Sequence, residues 1–523
     1  MFGSRAISLS CGIVALLASG LAASPALAQP AAQSVAASMK AAKSIHHADS
    51  IFADVSRRAA ELAGKPYVAP DKTLPAPFAK LNYDGYRKLR PRPESAIWGK
   101  VGNPFAVLSL PRGFFYDETV GINFIGHDGS RRQHPTAGAV DFVDYPSATD
   151  ADRMALGASG WRAISKPGIA GVGYEFAVFQ GGTYFRSISE GQVYGVSARA
   201  LAIGTGSSKP EEFPRFTEFW VFEPEANDDT LTFVALVDSP SVAAAYRFTL
   251  RPGVDATIDV AGDIHPRTDI TEAGLAPMSS MYLHGTLKPR NTSSSQNVDV
   301  RPQVHDSDGL AIQTKAGERV WRPLANPRHL QMSSFDSPLA GFGMEQRNRI
   351  PAAYADDEAK YVIRPSIWIE PQGDWGPGAV YLLENPTADE YADNVAAFWR
   401  PAQPWRTGST QKIAYRVHWQ RDAPVNTAKV VESRIMTAPG DASLQNIAIN
   451  FAGDAAFAAK PLTPDVWANG GTISNIQIAP ISGGHRLSFD LAPGSSPVVE
   501  LHAALADSTS QQTETWLYRW TPE

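Results

Sequence analysis

Along most of the chain, apolar and polar residues alternate in short runs that end at glycine or proline. Tyr246, Phe248 and Leu250 alternate and stop at Arg251-Pro252-Gly253, and Leu231 to Asp238 is a nearly continuous apolar stretch. Ile413, Tyr415, Val417 and Trp419 form another such run, as do Leu487, Phe489 and Leu491, and near the end Trp516, Tyr518 and Trp520. A period of two buries one face of a strand, and runs of this length between turn residues predict β-sandwiches, not βαβ units. One helical pattern interrupts this, with Phe52, Val55, Ala59 and Leu62 on one face and a stop at Gly64 and Pro66. The chain is predicted to be all-β.

Two boundaries follow from the pattern. Arg400-Pro401-Ala402-Gln403-Pro404 places two prolines after an apolar run and predicts a linker. That divides the chain into a large sandwich over 45–401 and an immunoglobulin-sized one over 405–523. At the start, Arg5 precedes an apolar stretch from Ile7 to Leu21 and the small-x-small triplet Ala26-Leu27-Ala28. The stretch is shorter than the roughly 20 residues a spanning helix needs. Residues 1–28 therefore read as a secretory signal and 29–44 as a loose leader. No arginine pair precedes the apolar segment, which favours general secretion.

Composition narrows the function. The single cysteine, Cys11, lies within the signal, so the mature chain rests on its core and not on disulfides. Net charge is −6, becomes −7 once Arg5 is removed, and no basic run appears, which excludes nucleic acid as a partner. The 12 Trp, 16 Tyr and 23 Phe suit either a large β-core or stacking on the apolar faces of sugars. No metalloprotease, phosphate-loop or nucleophile-elbow motif occurs, and Gly168-x-x-Gly171-x-Gly173 reads as a turn. His46 and His47 lack nearby partners, so neither a metal nor an organic cofactor is expected.

Two segments concentrate carboxylates. Arg301-Pro302-Gln303-Val304-His305-Asp306-Ser307-Asp308-Gly309-Leu310 is one. The stretch from Arg364 to Trp399 is the other, with Glu370, Asp374, Glu384, Asp389, Glu390 and Asp393 among Trp368, Trp375, Phe398 and Trp399. Glycoside hydrolysis needs a carboxylic acid and a carboxylate flanking one bond, and these segments could supply them. Asp-Ser-Asp-Gly and Gly373-Asp374-Trp375-Gly376 are equally good turn sequences, with Asp capping and Gly at positive φ.

Other stretches carry a resemblance. Leu81-Asn82-Tyr83-Asp84-Gly85-Tyr86-Arg87, Gly191-Gln192-Val193-Tyr194-Gly195-Val196-Ser197-Ala198-Arg199, Glu212-Phe213-Pro214-Arg215-Phe216 with Glu218-Phe219-Trp220, and Leu236-Val237-Asp238-Ser239-Pro240 come in that order. The His305–Leu310 block, Trp321-Arg322-Pro323-Leu324, Arg364-Pro365-Ser366 and Asp393-Asn394 follow. In these the chain resembles the OpgG/OpgD (MdoG) family of periplasmic glucan-biosynthesis proteins along nearly its whole mature length.

The resemblance implies a galactose-mutarotase-like sandwich followed by an immunoglobulin-like domain, in the periplasm. It implies an inverting endo-β-1,2-glucanase of glycoside hydrolase family 186, with two alternatives: a transglycosylase that closes glucan rings, and a non-catalytic glucan-binding scaffold. Asp306 matches the family's general base and Asp393 its general acid; Tyr361, Arg364 and Glu390 match residues near the cleaved bond. Tyr194, Arg199 and Trp220 are added as sugar contacts from residue type alone. Asp308 follows the OpgD-type block where OpgG-type proteins often carry Asn. The partners implied are β-1,2-glucan, an inner-membrane glucan synthase and a second copy of the chain. The acid role requires a raised pKa on Asp393, expected from burial beside Phe398, Trp399 and Glu390.

Overall fold

The computed structural model describes residues 47–100, 102–133, 136–166, 173–287, 299–423 and 425–522. The signal and leader expected over 1–44 lie outside the described residues, as do His46 and nearly all of the 168–173 glycine motif. The protein is all-β with little helix, and among the described residues no helix is long and apolar enough to cross a membrane.

Two large sheets face each other. One has ten strands, with Phe105–Pro111, Ala158–Ser165, Tyr174–Gln180, Tyr184–Ser187, Ser197–Arg199, Ala273–Ser280 and Val395–Pro401 adjacent in that order. The other has fourteen and centres on Leu231–Asp238, Val242–Arg251, Ala256–Pro266, Gln411–Gln420 and Ser366–Pro371. Inward residues of the two sheets interdigitate. Trp161 meets Phe233 edge-on at 4.9 Å, Phe179 meets Phe248 at 5.4 Å, and Phe185 meets Trp419 at 5.8 Å. These are the period-two positions of the sequence, buried because alternate side chains share one face.

The predicted helix spans 47–63 and lies on the back of the fourteen-stranded sheet. Val55 and Ala59 are buried there against Trp220, Leu236, Ala243 and Ala245.

A second core holds Val430, Ile447, Ile449, Phe451, Leu487 and Phe489 against Leu501, Trp516 and Tyr518. Its four-stranded sheet is Lys429–Ala438, Asp441–Ala452, Gly484–Ala492 and Thr472–Ile481. The opposite layer continues the large sheet, because Thr515–Trp520 runs parallel to Arg319–Pro323, pairing Val320 with Thr515 and Trp321 with Trp516.

The boundary expected at 401–405 moves. Trp405 exchanges backbone hydrogen bonds with Ile270 (2.8 and 2.9 Å), and Gln411–Gln420 then lies between Ala256–Pro266 and Ser366–Pro371, with Trp419 in the first core. Pro401 and Pro404 therefore mark a corner where the chain leaves one sheet for the facing one. The four-stranded sheet of the second core begins only at Lys429, and a chain cut at Pro401 would lack a strand from the middle of the first core.

The cores are joined by buried charges. Glu514 accepts hydrogen bonds from Arg347 (Nη1 2.7 Å, Nη2 2.8 Å) and from the Val430 backbone at 2.9 Å. Arg347 also bonds Glu345 at 2.8 Å and covers the Trp321 ring at 3.4 Å. Arg319 completes the group through Glu345 and Glu514.

Candidate active site

Val304–His305 pairs with Tyr282–His284 and presents Asp306 at its end, where the Asp306 N–H donates to the Met281 carbonyl at 2.8 Å. His305 is wholly buried, and burial lowers its pKa, so its ring is neutral. Its Nδ1 lies 2.9 Å from Gln346 Oε1 and its Nε2 2.9 Å from Gln303 Oε1, while Gln346 Nε2 donates to the His305 carbonyl and to the Tyr354 hydroxyl, both at 3.0 Å. Asp308 caps the next turn by accepting from the Arg347 and Asn348 N–H groups. Gly309 is required by packing and not by φ: a Cβ there would lie 2.4 Å from the Trp321 indole.

Asp306 accepts from Arg364 Nη1. The guanidinium is held by the Ala359 carbonyl (Nε 3.0 Å, Nη2 2.8 Å) and lies over the Tyr361 ring at 4.5 Å. Gly195 leaves room for the stem of Arg364, since a Cβ there would approach it to 3.1 Å. Burial pushes the Asp306 carboxyl up to about 6; Arg364 opposes the shift and the charge of Asp393 adds to it. The two carboxyls of the sequence reading therefore share one site.

A tie between segments brings them together. Asn394 donates to the carbonyls of Tyr282 (3.0 Å) and Asn385 (2.9 Å) and accepts from Tyr282 N–H at 2.8 Å. Tyr282 in turn pairs with His305. The Asp-Asn pair thus has two jobs: Asn394 locks onto the strand beside Asp306, and Asp393 is placed by it. Ser197 Oγ lies 3.5 Å from Asp393 Oδ2 and accepts from Arg186 Nε at 2.6 Å, and Arg186 Nη2 is 4.0 Å from the same carboxylate oxygen. Glu390 accepts from the Tyr361 hydroxyl at 2.5 Å and from Arg301 Nη1 at 2.7 Å.

The surroundings expected for Asp393 are not those found. Phe398 stacks on Tyr381, Trp399 is buried in the main core beside Trp375, and Glu390 faces Arg301. The remaining acidic residues of the second segment are structural: Glu370 pairs with His418, Glu384 with Arg322, and Asp374 and Asp389 cap turns.

An open cleft of about 860 Å³ leads away from Asp393. Its floor comes from neighbouring strands, with Arg162, Glu175, Tyr184 and Arg186, and Arg186 belongs to both cleft and carboxyl site. Tyr83, Phe114, Phe115 and Phe213 form the outer wall. Tyr194 is in the cleft, its hydroxyl donating to Glu175 Oε1 at 2.9 Å. Arg199 is only 3% exposed; it pairs with Glu211 and lies under the rings of Tyr184 (5.3 Å) and Phe213 (5.8 Å), so it supports the wall instead of contacting sugar. Trp220 is elsewhere, 6% exposed beneath the N-terminal helix on the back of the other sheet. The reading from residue type fails there because Trp220 points to the covered face of its strand.

Sequence reasoning did not single out Arg186, Ser197, Gly195 or the aromatic wall. Ser197, Gly195 and Tyr83 all lie in the stretches that carried the resemblance, which was the available signal.

A family model described as "Periplasmic glucan biosynthesis protein, MdoG" matches residues 51–520. The "Glucans biosynthesis protein G" of Rhodopseudomonas palustris is 45% identical over 476 residues, covering 90% of this chain and 93% of that protein. The protein of the same name from Vibrio cholerae is 41% identical over 483 residues, 89% and 86%. "Glucans biosynthesis protein G 1" of Shewanella oneidensis is 43% identical over 481 residues, with the same coverage.

Proposed function

The chain belongs to the MdoG family of periplasmic glucan biosynthesis proteins, and from that premise we propose that it is an anomer-inverting endo-β-1,2-glucanase whose acid is Asp393 and whose base is Asp306. What supports the reading is that the charge of Asp393 acts on the buried Asp306 carboxyl, and that Arg186, 4.0 Å from Asp393, also lines the aromatic-walled cleft.

In this mechanism Asp393 gives a proton to the glycosidic oxygen as the bond from the anomeric carbon to that oxygen breaks. Water adds to the opposite face of the sugar and its proton passes to Asp306, directly or through a second water. Inverting enzymes leave room for that water, with carboxyls about 6.5–9.5 Å apart. Arg364, fixed by Ala359, holds Asp306 in its ionised form. Burial keeps the Tyr361 and Tyr194 hydroxyls neutral, so they serve as hydrogen-bond donors. The cleft walls suit sugar rings, whose apolar faces stack on Tyr and Phe.

Incubation with linear β-1,2-glucan tests the reading. New reducing ends should appear, with the α-anomer first by NMR before mutarotation. A β-anomer appearing first would make Asp306 a nucleophile instead of a base. Cyclic products would mean transfer to the chain's own end, and no change at all a scaffold role.

The pH profile gives an independent check. The base must be ionised, and its pKa of about 6 lies above that of an ordinary aspartate, near 3.9. kcat/KM should therefore fall as pH drops through about 6, approaching tenfold per unit below it. A rate flat down to pH 5 would remove Asp306 from the base role.

A further inference from the structure

Two aromatic residues hold left-handed backbone conformations, Trp98 at φ 59° and Phe114 at φ 56°. For bulky side chains this is a real outlier, kept only where the surroundings impose it, and such outliers gather at binding sites. Both stand by one strand, Phe105–Pro111: Ile97, next to Trp98, exchanges backbone hydrogen bonds with Val107 (2.9 and 3.0 Å), and Phe114 follows the strand's far end. Phe114 is at the wall of the glucan cleft. Trp98 lines a different cavity, of about 720 Å³, to which nothing so far gives a role.

Trp98 is firmly placed. Gly99 N–H donates to the Ala96 carbonyl at 3.0 Å, and Lys166 Nζ donates to the carbonyls of Trp98 (3.0 Å) and Lys100 (3.2 Å). The indole meets Phe124 edge-on at 5.5 Å. Around the cavity are Lys100 and Asn103, whose side chains have no partner among the described residues, and Arg132, Asp128 and Glu223. Two cations facing two carboxylates balance, which suits a neutral ligand. An indole ring, an unpaired amide and scattered charged donors and acceptors are what a polyhydroxylated ring requires.

We propose that this cavity is a second, non-cleaving β-1,2-glucan site, which holds a distant part of the same polymer while the cleft acts on another. It rests on glucan being the substrate. The Asp128 carboxylate is occupied in a turn with Ser130 N–H at 2.9 Å, and the Glu223 carboxylate lies 4.0 Å from His127 Nε2. Binding at two points raises the apparent affinity for long chains without changing the chemistry.

The test uses the full chain carrying Asp306→Asn, which should bind without cutting, run through gels containing linear β-1,2-glucan. Adding Trp98→Ala should weaken retention by the long polymer by about tenfold or more. The double change Lys100→Ala with Asn103→Ala, which removes no internal bond, should weaken it in the same direction and decides the matter if Trp98→Ala fails to fold. In the chain that keeps Asp306, turnover on short oligosaccharides should not change with either variant. Retention unchanged by the double variant, or lowered equally for short and long ligands, overturns the proposal. If the unmodified chain releases no reducing ends yet is retained through Trp98, the glucanase reading falls and this site stands.

Discussion

Asp393→Asn is expected to leave the fold intact and to lower turnover on β-1,2-glucan by about 10²–10⁴, the usual contribution of a general acid. The exposed end of the residue makes this a clean experiment. Among the described residues its carboxylate bonds Ser197 at 3.5 Å and pairs with Arg186 at 4.0 Å, and its place in the chain is fixed by Asn394, which the change leaves alone. Circular dichroism and melting temperature should match the parent while the rate collapses. A folded variant with parental turnover would take Asp393 out of the mechanism. Substrates with a good leaving group, which need little protonation, should recover much of the loss.

Glu514→Ala is expected to cost about 3–5 kcal/mol, the range for removing one partner of a buried ion pair. Burial alone would push the Glu514 carboxyl up, yet Arg347 beside it holds it below the usual carboxylate range. The group is therefore ionised in the folded protein, and its stabilisation is present above its unfolded pKa and lost as pH falls through the lower folded one. Alanine leaves the Val430 N–H without its partner and Arg347 with only Glu345 and the Val430 carbonyl. Urea unfolding followed by tryptophan emission should report the loss, with Glu514→Gln retaining part of it. A change below about 1 kcal/mol would mean that Glu345 alone satisfies Arg347. Arg347 N–H also holds Asp308, so a smaller loss of activity should accompany the loss of stability.

Strands and their inward faces were legible because a period of two is a direct print of one-sided burial. Tyr246, Phe248 and Leu250, and Tyr415, Val417 and Trp419, sit inward as the alternation required. What a local pattern does not carry is which sheet a strand joins. Pro401 and Pro404 report a break in regular pairing, and the same break serves a linker or a corner; only the pairing of Trp419 with Ala256 distinguishes them. The two carboxylate segments could be marked, but the Asn394–Tyr282 bridge that unites them spans 112 residues of chain. Arg199 and Trp220 show the limit of arguing from residue type, since each is buried for a packing reason that the alternation alone did not distinguish from a binding one.

The corner at Pro401 also sets an order of events during folding. Gln411–Gln420 fills the gap between Ala256–Pro266 and Ser366–Pro371, and Ser189 Oγ bonds the carbonyl of Trp419, 230 residues further on. Contacts this distant must close long loops before they repay the entropy, so the first sandwich assembles slowly and late. A chain emerging from its N-terminus would present the aromatic wall, Tyr83 to Phe213, long before either carboxyl segment or the strand that completes the core. The residues of the cleft wall are therefore made before the carboxyl segments, and the first core lacks its closing strand until residue 420 has arrived.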